Sequence, residues 1–345
     1  MIDVAIIGGG IAGLWTLRTL RRLSYNAHLF EKTALGAGQT IASQGIIHGG
    51  MKYALDGVSR PQCDTLAGMP KRWMEEMPFA ASRTRQMLFT QNAVTAFAAS
   101  LALSGKTEQI EREEWPAVFQ HMAFAGTVYR LGEPVYRVAD VLAILAEDCA
   151  GFVHLGRPAV SRLTIHASGL GNELQTLKTQ RRPLRMFMVK PMGYELFGHC
   201  VVNNPKPRAT VTSHRLNGAI IWYLGGNLAE QAAKLDRAEA VAFAKKEMRE
   251  IFPWLDWRGK QWAALDIDRA EPATDHFTLP NRPKFITEGN IAIAWPSKMA
   301  LAPLLADELA EWVQGKIQPT KPEPMPHLPV PQIAKYPWET AHFEP

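Results

Sequence analysis

The chain has 345 residues, of which 47% are hydrophobic and 21% charged. This length and composition indicate a globular protein with a sizeable core, built as two domains or as one large one. Three cysteines without a CxxC pair argue against a disulfide scaffold or a zinc site and fit a reducing compartment. No metal is expected.

Charge and apolar runs bear on partners and location. The formal net charge of +5 is spread along the chain, which favours a solvated surface, with nucleic acid or an anionic membrane as open alternatives. No secretory signal is recognisable, and no stretch approaches the roughly 20 apolar residues of a membrane-spanning helix. The sequence therefore predicts a cytoplasmic protein, with attachment to the inner face of the membrane as an alternative.

The first elements form a nucleotide-binding pattern. An apolar strand over 4–7 runs into Gly8-x-Gly10-x-x-Gly13, where a helix begins with Ile11 and Ala12. In such a motif the first glycine permits a tight turn, the second lets a pyrophosphate approach the backbone, and the third lets helix and strand pack closely. The free N–H groups of the helix start also attract phosphate.

A second apolar strand, 27–30, ends at Glu31 and Lys32. A carboxylate about 20 residues past the glycines is placed to accept hydrogen bonds from both ribose hydroxyls of a dinucleotide. We therefore predict a dinucleotide site that includes Glu31 and Lys32.

The next segment favours FAD over NAD. It reads Gly36-Ala37-Gly38-Gln39-Thr40-Ile41-Ala42-Ser43-Gln44-Gly45-Ile46-Ile47-His48-Gly49-Gly50, where an NAD domain would continue into another βαβ unit. This segment resembles the flavin loop of the D-amino-acid oxidase superfamily. It is closest to the branch that holds FAD-dependent glycerol-3-phosphate dehydrogenase and L-2-hydroxyglutarate dehydrogenase. The resemblance implies FAD contacts from Gln39, Thr40, Ser43, Gln44, Gly45, Ile46 and Ile47.

His48 has three interpretations. It is a flavin-side acid or base, since its unperturbed pKa suits proton transfer near neutrality; or it holds the flavin covalently; or it fixes the loop by hydrogen bonds. The Trp-His-Ala-Ala pattern that flanks the covalent histidine of dimethylglycine and sarcosine dehydrogenases is absent here. The expected cofactor is therefore non-covalent FAD.

The middle of the chain alternates between helix and strand patterns. Helices are predicted over 63–76, over 138–147, and from Asp236 to about Ile251, with Asp236 as the N-cap. Strands are predicted over 160–165, 184–189, 208–213 and 219–224, the last three in an antiparallel sheet. The stretch 166–173, with Gly169, resembles the superfamily's second glycine segment, and the segment 148–166 before it is shorter than usual for the superfamily.

Asp268-Arg269-Ala270-Glu271-Pro272-Ala273-Thr274-Asp275-His276 resembles the superfamily's Arg-x-x-Pro-x-x-Asp segment. The arginine of that segment grips a substrate carboxylate, and a guanidinium suits this role because it offers paired donors to two oxygens. The resemblance implies Arg269 as the substrate anchor. The alternative is a structural ion pair with Glu271 or Asp275.

The closing elements are a strand over 289–295, a turn at Pro296-Ser297-Lys298, and a helix from Met299 to Trp312. In the superfamily this helix start is aimed at the flavin. Lys298 and the helix dipole would then stabilise the negative charge of the reduced ring. The alternative is an ordinary surface lysine.

The predicted fold is α/β. A Rossmann-like FAD-binding domain, glutathione-reductase-like in its βαβ unit, is interleaved with an α+β substrate domain that has a mixed or antiparallel sheet. We assign 1–58, 136–178 and 264–317 to the FAD-binding domain, 59–135 and 179–263 to the substrate domain, and 318–345 to a mostly irregular, proline-rich tail.

The predicted function is that of an FAD-dependent oxidoreductase. It takes a hydride from the carbon that bears an amine or a hydroxyl in a small anionic substrate, of the amino acid or 2-hydroxy acid type, and passes electrons to oxygen or quinone. Arg269 and Lys298 are the expected substrate and flavin contacts, and His48 is the candidate base for a hydroxy acid. The alternatives are a quinone-linked peripheral dehydrogenase of the glycerol-3-phosphate type, a flavoprotein acting on RNA, and a vestigial flavin-binding module.

Overall fold

The computed structural model of the chain describes residues 1–49, 65–91, 107–202, 207–274, 282–321 and 328–345. Three residues named in the sequence analysis lie outside these ranges: Gly50 of the predicted flavin loop, Cys63 at the start of a predicted helix, and Asp275, a predicted partner of Arg269. The described strands are β1 (Ile2–Ile7), β2 (Ala27–Glu31), β3 (Ala81–Thr90), β4 (Thr107–Gln109), β5 (Thr127–Tyr136), β6 (Val153–Leu155), β7 (Ser161–His166), β8 (Thr179–Met192), β9 (Gly198–Cys200), β10 (Ala209–Leu216), β11 (Ala219–Gly225), β12 (Gln261–Pro272), β13 (Lys284–Glu288) and β14 (Ile291–Trp295). The described α-helices are α1 (Ile11–Arg22), α2 (Met69–Glu76), α3 (Val138–Asp148), α4 (Asn227–Ala232), α5 (Arg237–Ile251), α6 (Ala302–Gln314) and α7 (Pro337–Thr340).

The first sheet has the strand order β13-β14-β7-β1-β2-β6. Its strands β14, β7, β1, β2 and β6 are parallel, and β13 is an antiparallel edge. The central strands β1 and β2 are almost entirely buried, as expected for a parallel sheet covered on both faces. Helices α1, α3 and α6 share one hydrophobic core that includes Leu14, Leu142 and Leu305. The predicted Rossmann-like βαβ unit is confirmed.

The shortened segment 148–166 still supplies two parallel strands. β6 pairs with β2 and β7 pairs with β1, and only residues 156–160 connect them. Ala159 from this connection and Leu328 pack on a small cluster formed by Ile2, Ala5 and Phe30. The segment therefore keeps the parallel order of the sheet with this short connection.

The second sheet has the order β12-β8-β11-β10-β9-β3-β5-β4. Its pairings are antiparallel except that of β3 with β9. Helix α5 covers it, and Asp236 caps that helix by accepting a hydrogen bond from Glu239 N at 2.8 Å, as predicted. β12 pairs with β8 over residues 261–272, so the predicted boundary at 264 divides a strand of this sheet.

Residues 328–345 are mostly irregular, as predicted, but they are packed against both sheets. Leu35 N donates to Gln332 O at 2.8 Å, and Trp262 N donates to Glu344 O at 2.6 Å. Trp338 is buried in a cluster with Tyr223. This segment thus links the loop after β2 to β12. No helix among the described residues is long and apolar enough to cross a membrane.

Because of a buried histidine pair in the first sheet, we expect stability to depend on pH. His28 is 3% exposed, and its Nδ1 lies 2.9 Å from His154 Nε2. Burial, together with repulsion from His154 and Arg21, lowers the pKa of His28 from 6.5 to about 4. Between pH 4 and 6.5, the unfolded chain therefore binds a proton at His28 that the folded chain does not bind. We expect this site to reduce the free energy of unfolding by about 3 kcal/mol as the pH falls from 6.5 to 4.

Urea unfolding at several pH values measures this effect. His28→Gln should flatten the pH dependence relative to the wild type. The matched control is His342→Gln, which changes a histidine at the surface near the end of the chain and should leave the slope unchanged. Equal slopes for all three proteins would contradict the assignment to His28.

Candidate functional site

A cavity of about 340 Å³ lies between strands of the second sheet and segments that follow strands of the first sheet. On the first-sheet side it is bounded by segments that follow the carboxyl ends of β1, β2 and β14, the edge where ligands of open α/β sheets bind. On the other side lie β8, β12 and α4. The predicted site residues that line the cavity are Ile11, Gln39, Thr40, Ser43, Gln44, Gly45, His48, Arg269, Pro296, Ser297, Lys298 and Met299.

The glycine turn has the geometry that its spacing predicts. Gly8 has a φ of +112°, which a side chain would strain. A Cβ on Gly13 would lie 2.0 Å from Gly8 O, so only glycine allows α1 to pack this closely on the turn. Gly10 is the N-cap of α1. The turn therefore presents bare backbone at a helix N-terminus.

Glu31 lies at the end of β2, directly beside this turn. Its Oε2 accepts from Gly9 N at 2.7 Å, and its Oε1 accepts from Thr33 N at 2.9 Å. The carboxylate is thus fixed next to the glycines, where the spacing predicts it. Lys32, in contrast, is exposed and is not among the residues that line the cavity.

The loop after β2 joins the two sheets. Thr40 Oγ1 accepts from Ile11 N at 3.2 Å, and Tyr223 of β11 donates its hydroxyl to Ala42 O at 2.8 Å. Gln39 Nε2 is buried and has no hydrogen-bond partner among the described residues. It lies near Gly169, where an added Cβ would be 3.7 Å away. Gln39 therefore has a free donor at the cavity wall.

Two residues of this loop make contacts away from the cavity. Gln44 Nε2 donates to Tyr223 O at 2.9 Å and to Thr210 O at 3.1 Å, so its amide group binds the backbone of the second sheet. Ile47 is fully buried in the core of the first sheet, whereas Ile46 lines the cavity. Neighbouring side chains of this extended loop point to opposite sides, which the sequence pattern alone does not indicate.

The segment after β14 brings positive charge to the cavity. Ser297 has a φ of +61° and donates its hydroxyl to Arg282 O at 2.9 Å. Lys298 follows, and residues 299–301 form a 3-10 turn that leads into α6 at Ala302, slightly later than predicted. Lys298 thus lies at the N-terminal end of this helical segment, where the dipole also favours anions.

Arg269 belongs to a cluster of alternating charges. Its guanidinium lies 3.5 Å from Glu230 Oε1 of α4, and the same oxygen lies 3.3 Å from Arg182. Arg182 pairs in addition with both carboxylate oxygens of Glu271, at 2.8 and 3.1 Å. Glu271 therefore binds Arg182, and Asp275, the other alternative partner predicted for Arg269, lies outside the described residues.

Glu133 of β5 is a buried carboxylate that belongs to no motif in the sequence. It is 2% exposed, and its Oε2 lies 3.1 Å from His48 Nδ1 and 3.5 Å from His199 Nε2 of β9. Burial alone would raise the pKa of Glu133, but attraction to His48 and hydrogen bonds to both histidines lower it far below its usual range. The two histidines therefore favour the ionised form of this buried carboxylate. In the sequence His199 stands next to Cys200, and this does not predict that His199 meets Glu133 and His48.

These features fit a dinucleotide cofactor. A helix N-terminus follows a glycine turn that has no room for a side chain at Gly13, an acid lies beside that turn, and Gln39 keeps a donor available at the cavity wall. Fold and site together define a flavoprotein-type oxidoreductase. The chain belongs to the FAD-dependent oxidoreductase (DAO) family, whose model matches residues 3–181, and its cofactor is FAD.

Similar proteins extend this finding to the full length. The probable FAD-dependent oxidoreductase PA4991 of Pseudomonas aeruginosa is 36% identical over 98% of both chains, and its crystal structure superposes with a TM-score of 0.83 over 98% of this chain and 97% of that one, at 32% identity. Glycine oxidase from Geobacillus kaustophilus (TM-score 0.60, 16% identity, 92% and 95% covered) and iminodiacetate oxidase from Chelativorans sp. BNC1 (0.64, 14%, 96% and 100%) share the fold.

Proposed function

We propose that this enzyme oxidises a small amino acid at the carbon that bears its amine. The residues proposed to hold FAD are Gly8, Gly10, Ile11, Ala12, Gly13, Glu31, Gln39, Thr40, Ser43, Gly45, Gly169, Pro296, Ser297, Lys298 and Met299. When bound, FAD supplies an acceptor for two electrons.

The pair formed by Arg269 and Glu230 carries this proposal. Both side chains line the same cavity as the flavin loop, and they offer opposite charges 3.5 Å apart. An amino acid presents the complementary pair, a carboxylate for the guanidinium and an ammonium for the glutamate. Two proteins of the same fold are named for the oxidation of glycine and of iminodiacetate, which carry both groups.

Other cavity residues fit the same chemistry. His48 lies at the wall and accepts a proton from the substrate nitrogen, a role that suits its pKa range. Lys298 and the N-terminal end of the helical segment it precedes stabilise negative charge at the cavity. Apolar residues of β8, among them Leu184 and Met186, exclude water from the cavity.

Anaerobic mixing tests the function directly. The FAD-loaded protein is mixed with a panel of amino acids and of the matching 2-hydroxy acids, and bleaching of the flavin absorbance is followed. We expect at least one small amino acid to bleach it and the matching hydroxy acid to act far more slowly. Bleaching by hydroxy acids alone would contradict the proposed substrate class. Readmission of air, or addition of a soluble quinone, then distinguishes oxygen from quinone as the acceptor.

Substitution of Glu230 sharpens this test. Glu230→Gln removes the negative charge that an ammonium would meet and leaves Arg269 in place. We expect KM to rise about 10-fold or more for the amino acid, the size of a lost charge-assisted hydrogen bond, with no rise for the hydroxy acid. A control is Glu195→Gln, which changes an exposed glutamate paired with Arg215. An equal effect of Glu230→Gln on both substrates would show that Glu230 does not bind the substrate ammonium.

A further inference from the structure

Arg182 of β8 lies on the cavity face of the second sheet. Leu184 and Met186 follow it at alternate positions of the same strand and line the cavity, and alternate residues of a strand share one face. Across the sheet, Arg182 is in register with Arg269 of β12, which also lines the cavity. Two arginines in opposite positions on neighbouring strands repel each other, so the anions around them decide how this side of the cavity is arranged.

Glu271 of β12 fixes the orientation of the Arg182 guanidinium. The glutamate side chain is 2% exposed, and it accepts hydrogen bonds from Arg182 Nε at 3.1 Å and from Arg182 Nη2 at 2.8 Å. A guanidinium is planar, so two hydrogen bonds along one edge set the direction of its remaining nitrogen. That nitrogen, Nη1, donates to Glu230 Oε1 at 3.3 Å. Arg182 therefore bridges two carboxylates, one on β12 and one on α4.

The short helix α4, which carries Glu230, is held at both ends. At its start, Asn227 N donates to Pro207 O at 2.9 Å. Just beyond its end, Arg185 Nη1 of β8 donates to Leu235 O at 2.8 Å. Because the backbone of α4 is fixed in this way, the side chain of Glu230 determines which of the neighbouring arginines it binds.

Glu230 Oε1 is shared by two arginines. Arg182 donates a hydrogen bond to it, whereas Arg269 lies 3.5 Å away as an ion pair. We propose that Arg182 is a positioning residue that holds Glu230 apart from Arg269, so that the two side chains can receive the ammonium and the carboxylate of one amino acid. This inference rests on the proposed function. Without Arg182, Glu230 turns to Arg269 and pairs with it through both oxygens, the preferred geometry of an arginine with a carboxylate.

A pair of this kind would close the substrate site on itself. A substrate would then have to break two charge-assisted hydrogen bonds before it could form its own. The loss of Arg182 therefore weakens binding at the carboxylate end of the substrate as well as at the ammonium end. This distinguishes Arg182 from Glu230, whose substitution weakens ammonium binding alone.

The test removes Arg182 together with the carboxylate that it pairs with. Arg182→Gln alone would leave the buried Glu271 without this cation, which threatens the fold. The double variant Arg182→Gln/Glu271→Gln avoids this problem, because two amides of similar size replace the ion pair and can hydrogen-bond to each other. The matched control is Arg215→Gln/Glu195→Gln, which removes an exposed ion pair outside the cavity.

Binding of acetate, a plain carboxylate, reads the effect without turnover. Acetate is titrated into the FAD-loaded proteins, and the change in flavin absorbance is followed. We expect the double variant to bind acetate about 10-fold more weakly or worse, which corresponds to one charge-assisted hydrogen bond, and the control to match the wild type. Addition of Glu230→Gln to the double variant should restore the affinity, because no carboxylate from α4 is then left to occupy Arg269. A double variant that binds acetate as the wild type does would overturn the proposal, and so would a triple variant that recovers nothing.

Crystal structures supply a second readout that needs no substrate. In the double variant, both oxygens of Glu230 should lie within hydrogen-bond distance of the Arg269 guanidinium, whereas the wild type keeps them apart. A Glu230 that stays in its wild-type position in the double variant would overturn the proposal, whatever the enzyme oxidises. If Glu230 turns to Arg269 as expected but no amino acid bleaches the flavin, the positioning role of Arg182 is confirmed and the proposed substrate class alone is contradicted.

Discussion

Gly10→Val yields a folded protein that purifies without FAD. Gly10 caps α1 with an ordinary φ of −79°, so valine does not strain the backbone itself. Its Cβ would lie 3.1 Å from Thr40 Oγ1, and its methyl groups would occupy the space above the helix N-terminus that a pyrophosphate needs. We expect the affinity for FAD to fall at least about 100-fold, or about 2.7 kcal/mol.

The measurement is the flavin absorbance of the purified protein, followed by titration with FAD. Gly193→Val is the matched control, because a Cβ there meets no atom within 4 Å and the position lies outside the cavity. Circular dichroism confirms that both variants fold. A yellow Gly10→Val protein with normal FAD affinity would contradict the assignment of this turn to the pyrophosphate.

The sequence predicted the parts of the site that are local. The strand, the glycine turn, α1 and Glu31 follow one another within about 30 residues, and each constraint acts between neighbours in the chain. The same is true of α5, whose N-cap Asp236 and N3 residue Glu239 form a capping box. Such elements are specified by their own residues, so periodicity and spacing identify them.

The charge cluster around Arg269 depends on strand register instead. Arg269 on β12 lies directly opposite Arg182 on β8, a like-charge pair that is unfavourable by itself. Glu230 from α4 lies between the two guanidinium groups, and Glu271 pairs with Arg182. These partners come from three elements, and nothing in the spacing of the chain indicates which of them meet.

The group around His48 was out of reach of the sequence for the same reason. β3 lies between β5 and β9 in the sheet, and this order brings Glu133 and His199 to the flavin loop although they are 66 positions apart in the sequence. Local patterns cannot report a contact made through a third strand. The prediction that His48 lies at the cavity wall could be made, whereas its two partners required the fold.

Arg269→Ala should lower kcat/KM about 100-fold for the amino acid, mainly through KM, while FAD stays bound. In the proposed function this guanidinium binds the substrate carboxylate, and losing two charge-assisted hydrogen bonds is worth about 2.7 kcal/mol or more. Glu230 keeps its contact with Arg182 at 3.3 Å, so the variant does not leave a buried carboxylate without a partner, and the fold should survive.

Steady-state kinetics, with FAD content measured in parallel, test this expectation. Arg181→Ala is the control, since Arg181 neighbours Arg182 on β8 but is largely exposed and pairs with Glu173 and Asp268; its kinetics should match the wild type. Arg269→Lys should recover only part of the loss, because an ammonium cannot offer paired donors to two oxygens. Unchanged kinetics in Arg269→Ala would show that Arg269 does not bind the substrate. Full recovery in Arg269→Lys would mean that charge alone, and not the shape of the guanidinium, holds the carboxylate.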